Sequence, residues 1–268
     1  QVFGAWGHTN GNGDAGDVSR SSGGFLLGLD VPVAQQWRVG GFLGYSQTGL
    51  TMDAQTASAD IDSYHVGAYG GGQLGPLGLR FGATYTTHDI STDRTVALPN
   101  ETDQLQANYS GHTVQGFAEI GWRLQMQRLG LEPFANVAYV TVHTASFSET
   151  GGVAAVSGAA SDTDATYTTL GLRPSLDLAV GPVQARVRGV LGWRHDFGDI
   201  TPTSTVRFVE GGAAFSVDGA PIERDAGVAE MALDLKTSSV TVLSLSYGAQ
   251  GWDGDIDQTI RANFHLSF

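Results

Sequence analysis

Three short stretches of the 268-residue chain carry groups that could move a proton: His88-Asp89, His195-Asp196 and Asp253-Gly254-Asp255. A histidine beside a carboxylate can act as a general base, and paired carboxylates can activate water, so each is a candidate hydrolytic site. The chemistry requires convergent geometry, and commonplace loop-edge polarity is the competing reading. Gly11-Asn12-Gly13-Asp14-Ala15-Gly16-Asp17 has the look of a calcium loop, but it lacks the spaced carboxylates and closing glutamate of an EF-hand. It reads as a polar loop, and no metal site is expected. No Gly-x-Ser-x-Gly, His-Glu-x-x-His, P-loop or dinucleotide fingerprint occurs, so neither a catalytic residue nor a cofactor is assigned.

A second constellation is larger. Asp30, Arg80, Glu119, Arg123, Glu132, Arg173, Asp177, Arg186, Arg188, Arg194, Glu230, Asp234 and Arg261 all fall on one face of alternating segments. Seven arginines and six carboxylates nearly cancel. Such a set suits a wet interior lined by mutually compensating charges. Of the 14 basic residues all but Lys236 are arginine. A surface facing bulk water would be expected to use lysine as well.

The elements that position these residues have period two. Alternating segments of about ten residues recur between Gly-, Asp-, Ser- and Thr-rich stretches, and no helical stripe holds for three turns. Twelve strands are expected: Val2–Thr9, Gly23–Val31, Arg38–Thr51, Ile61–Leu74, Gly78–Ile90, Ala107–Gln125, Leu129–Ser146, Ala165–Val180, Val183–His195, Asp225–Leu235, Val240–Gly251 and Gln258–Phe268. Connections after even-numbered strands are short, such as Gly75–Leu77 and Gly181–Pro182. Those after odd-numbered strands are mostly long, the longest being Asp196–Arg224. Short turns on one rim and long polar loops on the other mark an outer-membrane barrel.

Alternation by itself fits a soluble sandwich as well as a membrane barrel. Two features select the membrane: the charged face just described, and aromatics on the apolar face at two levels. Tyr45, Tyr85, Tyr139, Trp193 and Tyr247 lie near the long-loop side, and Trp37 and Trp122 near the short-turn side. These resemble interfacial girdles, with ordinary cross-strand aromatics as the other reading. Gly40, Gly44, Gly67, Gly71, Gly82, Gly121, Gly171 and Gly248 are expected mainly on the charged face, where they leave room inside and permit coiling.

Composition agrees. Charged residues make up 15% and glycine numbers 38, a balance suited to a protein that shows water only part of its surface. A net charge of -13 argues against a nucleic-acid partner. With no cysteine there is no disulfide scaffold and no thiolate chemistry. No apolar run is long enough for a transmembrane helix. No signal peptide opens the chain, so an exported form would be a mature fragment or one domain of something longer. The reading is an all-β, transmembrane, antiparallel up-and-down barrel of twelve strands, one domain over residues 1–268, monomeric, in contact with lipid and lipopolysaccharide.

Several segments, in order, resemble the autotransporter (type V secretion) β-domain family. They are Val2-Phe3-Gly4-Ala5-Trp6-Gly7, Ser22-Gly23-Gly24-Phe25-Leu26-Leu27-Gly28-Leu29-Asp30, Asp62-Ser63-Tyr64-His65-Val66-Gly67-Ala68-Tyr69-Gly70, Leu131-Glu132-Pro133-Phe134-Ala135, Thr168-Thr169-Leu170-Gly171-Leu172-Arg173, Phe215-Ser216-Val217-Asp218-Gly219-Ala220-Pro221 and the close Arg261-Ala262-Asn263-Phe264-His265-Leu266-Ser267-Phe268. The resemblance implies an outer-membrane translocator that helps export an N-terminal passenger. It implies a linker helix through the lumen, immediately upstream of the first strand, where this sequence begins. It also implies recognition of the last strand by the barrel assembly machinery, carried here by Arg261, Phe264, Leu266 and Phe268. Asn263 stands where the family pattern has glycine. A free-standing porin, constricted by a loop such as Thr201–Arg224, and a rim-sited outer-membrane hydrolase using His195 are the alternatives.

Overall fold

The computed structural model describes residues 1–11, 16–52, 56–99, 101–180, 183–198, 201–219, 223–252 and 254–267. Twelve long strands form the main sheet: β1 (Val2–Thr9), β2 (Val18–Ala34), β3 (Trp37–Met52), β4 (Ala57–Leu74), β5 (Leu77–Ala97), β6 (Thr102–Trp122), β8 (Leu129–Thr144), β11 (Ser161–Val180), β12 (Val183–Asp196), β15 (Asp225–Lys236), β16 (Thr241–Trp252) and β17 (Asp255–Leu266). Each pairs antiparallel with its neighbour, and β1 pairs with both β2 and β17, so the sheet closes on itself. Closure removes every edge, which is what a sheet surrounded by hydrocarbon requires. The short β7 (Leu124–Met126) continues β6 after a break at Arg123, whose amide donates instead to the Pro76 carbonyl at 2.7 Å.

Several strands run further than the hydrophobic alternation indicates. The segment 91–104, expected as a loop, is largely ladder: Ser91 to Ala97 pairs with Asn108 back to Thr102. The extension is mostly polar in sequence, with Leu105 and Ala107 its main buried apolar side chains, so the hydrophobic alternation is too short to mark it while the backbone still pairs. The expected loop Asp196–Arg224 likewise holds two strands, β13 (Thr203–Phe208) and β14 (Phe215–Asp218). With β9 (Phe147–Ser148) and β10 (Val156–Gly158) they form a small second sheet in the order β14-β13-β10-β9. It packs on the β5–β6 extension, burying Leu105, Ala107, Ala155 and Val206. Phe147 stacks on Tyr109 with ring centres 5.1 Å apart, and Arg94 binds Glu149 at 2.6 Å.

The short-turn rim uses local backbone chemistry. Gly75 has φ of 62°, a left-handed conformation that costs glycine little, and Pro76 follows it. In the wall, Gly171 lies under the Phe134 ring. A Cβ there would come within 2.6 Å of both that ring and the Leu191 carbonyl oxygen. Gly171→Val is therefore expected to destabilise the barrel by about 1–3 kcal/mol through overpacking. A lowered urea midpoint for refolding in vesicles would register it, and an unchanged midpoint would show that the wall yields.

Candidate functional site

The two faces of the closed sheet differ sharply. Leu27, Leu29, Leu43, Leu191, Met231 and Phe264 are exposed on one face, Leu29 to 72%. A soluble protein has no use for such a continuous apolar band. On the same face, Tyr45, Tyr85, Tyr139, Trp193 and Tyr247 lie toward the long-loop side and Trp122 toward the short-turn side, all at least partly exposed. In β8, Leu129 to Tyr139 would span about 24 Å at the roughly 45° tilt usual for such strands, which matches the hydrocarbon layer of an outer membrane.

The long-loop aromatics repeat one device. Four of the five present their polar tip to an acceptor two residues further out on the next strand, while the Tyr85 ring lies against that of His112 with centres 5.7 Å apart. Tyr45 Oη donates to Asp62, Tyr139 Oη to Asp164 at 2.9 Å, Trp193 Nε1 to Asp225 at 2.9 Å and Tyr247 Oη to Gln258 at 2.5 Å. The ring stays in the apolar layer while the hydroxyl or indole N–H meets the polar zone. Sequence reading found the rings but missed their acceptors, which lie on other strands and need the register.

The other face carries the ions. Arg80 on β5 reaches Glu132 on β8 past the intervening β6, and Arg173 on β11 reaches Glu119 on β6 past β8. Side chains can bridge alternate strands in this way only on the concave side of a curved sheet. Arg80 Nη1 donates to Glu119 and Glu132 at 2.7 Å each. Arg173 donates to Glu119 at 2.6 and 2.8 Å and to Glu132 at 3.2 Å, and its guanidinium lies 3.8 Å from the Phe134 ring centre. Arg123 stands 3.6 Å from Glu132. Further round the wall, Arg186 grips Asp177 through two nitrogens, Arg188 grips Asp234 likewise, and Arg261 donates to Glu230 at 2.7 Å. Arg38 pairs with Asp30, and Arg194 donates to Gln250 at 2.8 Å while lying over Tyr167. All thirteen residues singled out in the sequence thus occupy this face, most of them bonded to one another.

Hydroxyl–imidazole bridges on the same face were not anticipated from the sequence. His65 bridges Ser46 and Thr86 at 2.9 and 3.0 Å, and His88 bridges Ser63 and Thr113 at 2.8 and 2.9 Å. Both ring nitrogens of each histidine are thereby engaged. This settles one hydrolytic candidate: His88 points inward, and Asp89, next along the strand, points out. His195 likewise bonds Asp225 at 2.8 Å on the outer face, while Asp196 is buried opposite and accepts from the Gly198 amide. Period-two geometry separates each pair, so neither is a convergent acid–base couple. Asp253 lies outside the described residues, and Asp255 accepts from the Asn10 amide at 2.8 Å. Residues 12–15 of the glycine-rich loop also lie outside them. Among the described residues no cluster of three or more His, Asp or Glu could hold a metal ion.

An apolar belt outside, a charged wall inside, full closure and the two longest connections on one rim define a transmembrane β-barrel of the outer-membrane type. Among the described residues no helix is long and apolar enough to cross a membrane; the strands cross it. The family model described as the autotransporter β-domain matches residues 1–248, and the chain belongs to that family, the outer-membrane translocators of Gram-negative bacteria. It is similar to an extracellular serine protease of Serratia marcescens, with 36% identity across all 268 residues and 26% of that protein's length. The chain thus spans about a quarter of the curated relatives it matches. Among solved structures it resembles the translocator domain of NalP from Neisseria meningitidis, with a TM-score of 0.78 at 15% identity, covering all of this chain and 87% of that one. It also resembles the β-domain of Bordetella BrkA, with a TM-score of 0.70 at 19% identity, covering all of this chain and 98% of that one.

Proposed function

We propose that the chain is one barrel domain, monomeric, that opens a wet path through the outer membrane for its own N-terminal passenger and performs no chemistry itself. The carrying observation is the inner wall: a connected set of arginine–carboxylate pairs facing the lumen of a closed twelve-strand barrel. A wall of satisfied ions keeps water in the lumen and offers polar partners to a threaded linker helix. The barrel is wider than the eight-strand barrels whose interiors side chains fill. Lipid and lipopolysaccharide would contact the apolar band and its outer rim.

Assembly would run through the last strand. Phe264 and Leu266 point outward and are exposed, while Arg261 points inward to Glu230; Phe268 lies outside the described residues. A strand with apolar residues at alternate positions can pair with a partner's edge before the barrel closes. The test places a reporter domain, with a secretion signal, ahead of Gln1 in a Gram-negative host. The reporter should become sensitive to external protease, and Phe264→Ser with Leu266→Ser should cut the folded barrel several-fold. A reporter that stays inside while the barrel folds normally would overturn the export reading.

A further inference from the structure

The inner wall is nearly neutral in count, yet it does not present itself to the lumen as neutral. In the ion pairs of its short-turn half the guanidinium is more exposed than its carboxylate, whereas Arg20 and Asp257 near the other rim are about equally exposed. Arg80 and Arg173 are 38% and 28% exposed against 7% and 8% for Glu119 and Glu132. Arg188 is 45% exposed against 19% for Asp234, and Arg186 53% against 44% for Asp177. The carboxylates sit against the wall and the cations project inward. Toward the short-turn half these cations converge on a recess of about 440 Å³, lined by Arg80, Arg123, Arg173, Arg186 and Arg188, with Glu132 and Glu230. Arg186 and Arg188 each use Nε and Nη2 on their aspartates. Among the described residues, Nη1 of each takes part in no hydrogen bond. Elsewhere the balance is reversed: the chain carries -13 overall, and Asp62, Asp162, Asp164 and Asp225 crowd the long-loop rim.

We infer that this recess is an anion site, shaped for a group bearing two or more carboxylates or phosphates. Forked guanidinium donors suit such oxygens geometrically as well as electrostatically. The site rests on the proposed wet lumen, and it adds a chemistry to the threaded segment: acidic side chains would settle at this level. A free polyanion entering from the short-turn side offers the same oxygens.

Calorimetric titration of the full chain, refolded in a zwitterionic detergent at low salt, separates the two sources. One probe is inorganic tripolyphosphate. The other is a synthetic helical peptide with a stripe of glutamates, set against its all-glutamine twin. Binding of either anion, weakened by salt and at least tenfold weaker in D177N/R186Q/R188Q/D234N, is expected. That variant keeps the net charge, so a loss reports the guanidinium groups. D177N/R186Q alone alters the most exposed pair and serves where the fourfold variant folds poorly; it should weaken binding about threefold. Tripolyphosphate binding admits a free polyanion, and peptide binding alone restricts the site to polypeptide. Binding by neither probe, or binding that survives both variants, overturns the inference. The surface-display assay is independent, so loss of the anion site leaves the export reading to stand or fall on its own measurement.

Discussion

Leu172→Arg is expected to destabilise the barrel in a lipid bilayer by about 2–4 kcal/mol, the cost of placing an arginine near the membrane midplane. Leu172 is an exposed residue of β11, near the middle of the run from Thr166, opposite Tyr139, to the short-turn end at Val180. Its side chain meets hydrocarbon, where a guanidinium has neither water nor partner. Gln115→Arg on β6 is the comparison. Gln115 is also exposed but lies on the charged face, in register with Thr84 and Val140. There the same cation meets water, and a change within about 0.5 kcal/mol is expected, as for an ordinary solvated position. Urea titration of folding into vesicles, read by gel mobility of unheated samples, measures both. The reverse ranking would mean that the apolar face is the solvated one. Neither the membrane location nor the export role would survive that result.

Much of this was legible in the sequence because a barrel wall repeats a simple rule. Alternation assigned Leu191 and Trp193 to one face and Arg186, Arg188 and Arg194 to the other, and the structure keeps every one of them there. The short turns were legible because those such as Gly75-Pro76 carry their own backbone signal, whereas the expected loop between β5 and β6 shrinks to the residues between Ala97 and Thr102. What escaped depends on register. Nothing near Arg80 announces Glu132, because the two meet only when β5, β6 and β8 are aligned. The Ser46–His65–Thr86 bridge escaped for the same reason. The outer extensions of β5 and β6 escaped because they are mostly polar in sequence, and the row buried on β6 mixes Asp103 with Leu105 and Ala107, which is too short an apolar trace to read. The second sheet was hidden within segments whose glycine and acidic residues read as loop, although β13 pairs with β10 across about fifty residues of chain.

Arg173→Met should be the most damaging single change on the inner wall. Arg173 makes three hydrogen bonds to two carboxylates that are only 7% and 8% exposed, and it covers the Phe134 ring. Removing it leaves Glu119 and Glu132 competing for Arg80, with Arg123 near only one of them. Breaking a buried pair costs about 3–5 kcal/mol when one charge is stranded. Here the lumen side is open to water and Arg80 remains, so about 2–3 kcal/mol is expected. Lysine should recover only part of this, because one ammonium cannot span both carboxylates as the fork does. The decisive variant is Arg173→Met with Glu119→Gln, which removes the cation and one of the two carboxylates it held. If the stranded charge is the cause, the double variant should be more stable than Arg173→Met alone by about 1 kcal/mol or more, a coupling expected of residues in direct contact. Additive losses in that cycle would place the damage in packing against Phe134 instead. The inner wall would then be a structural lining rather than an electrostatic one.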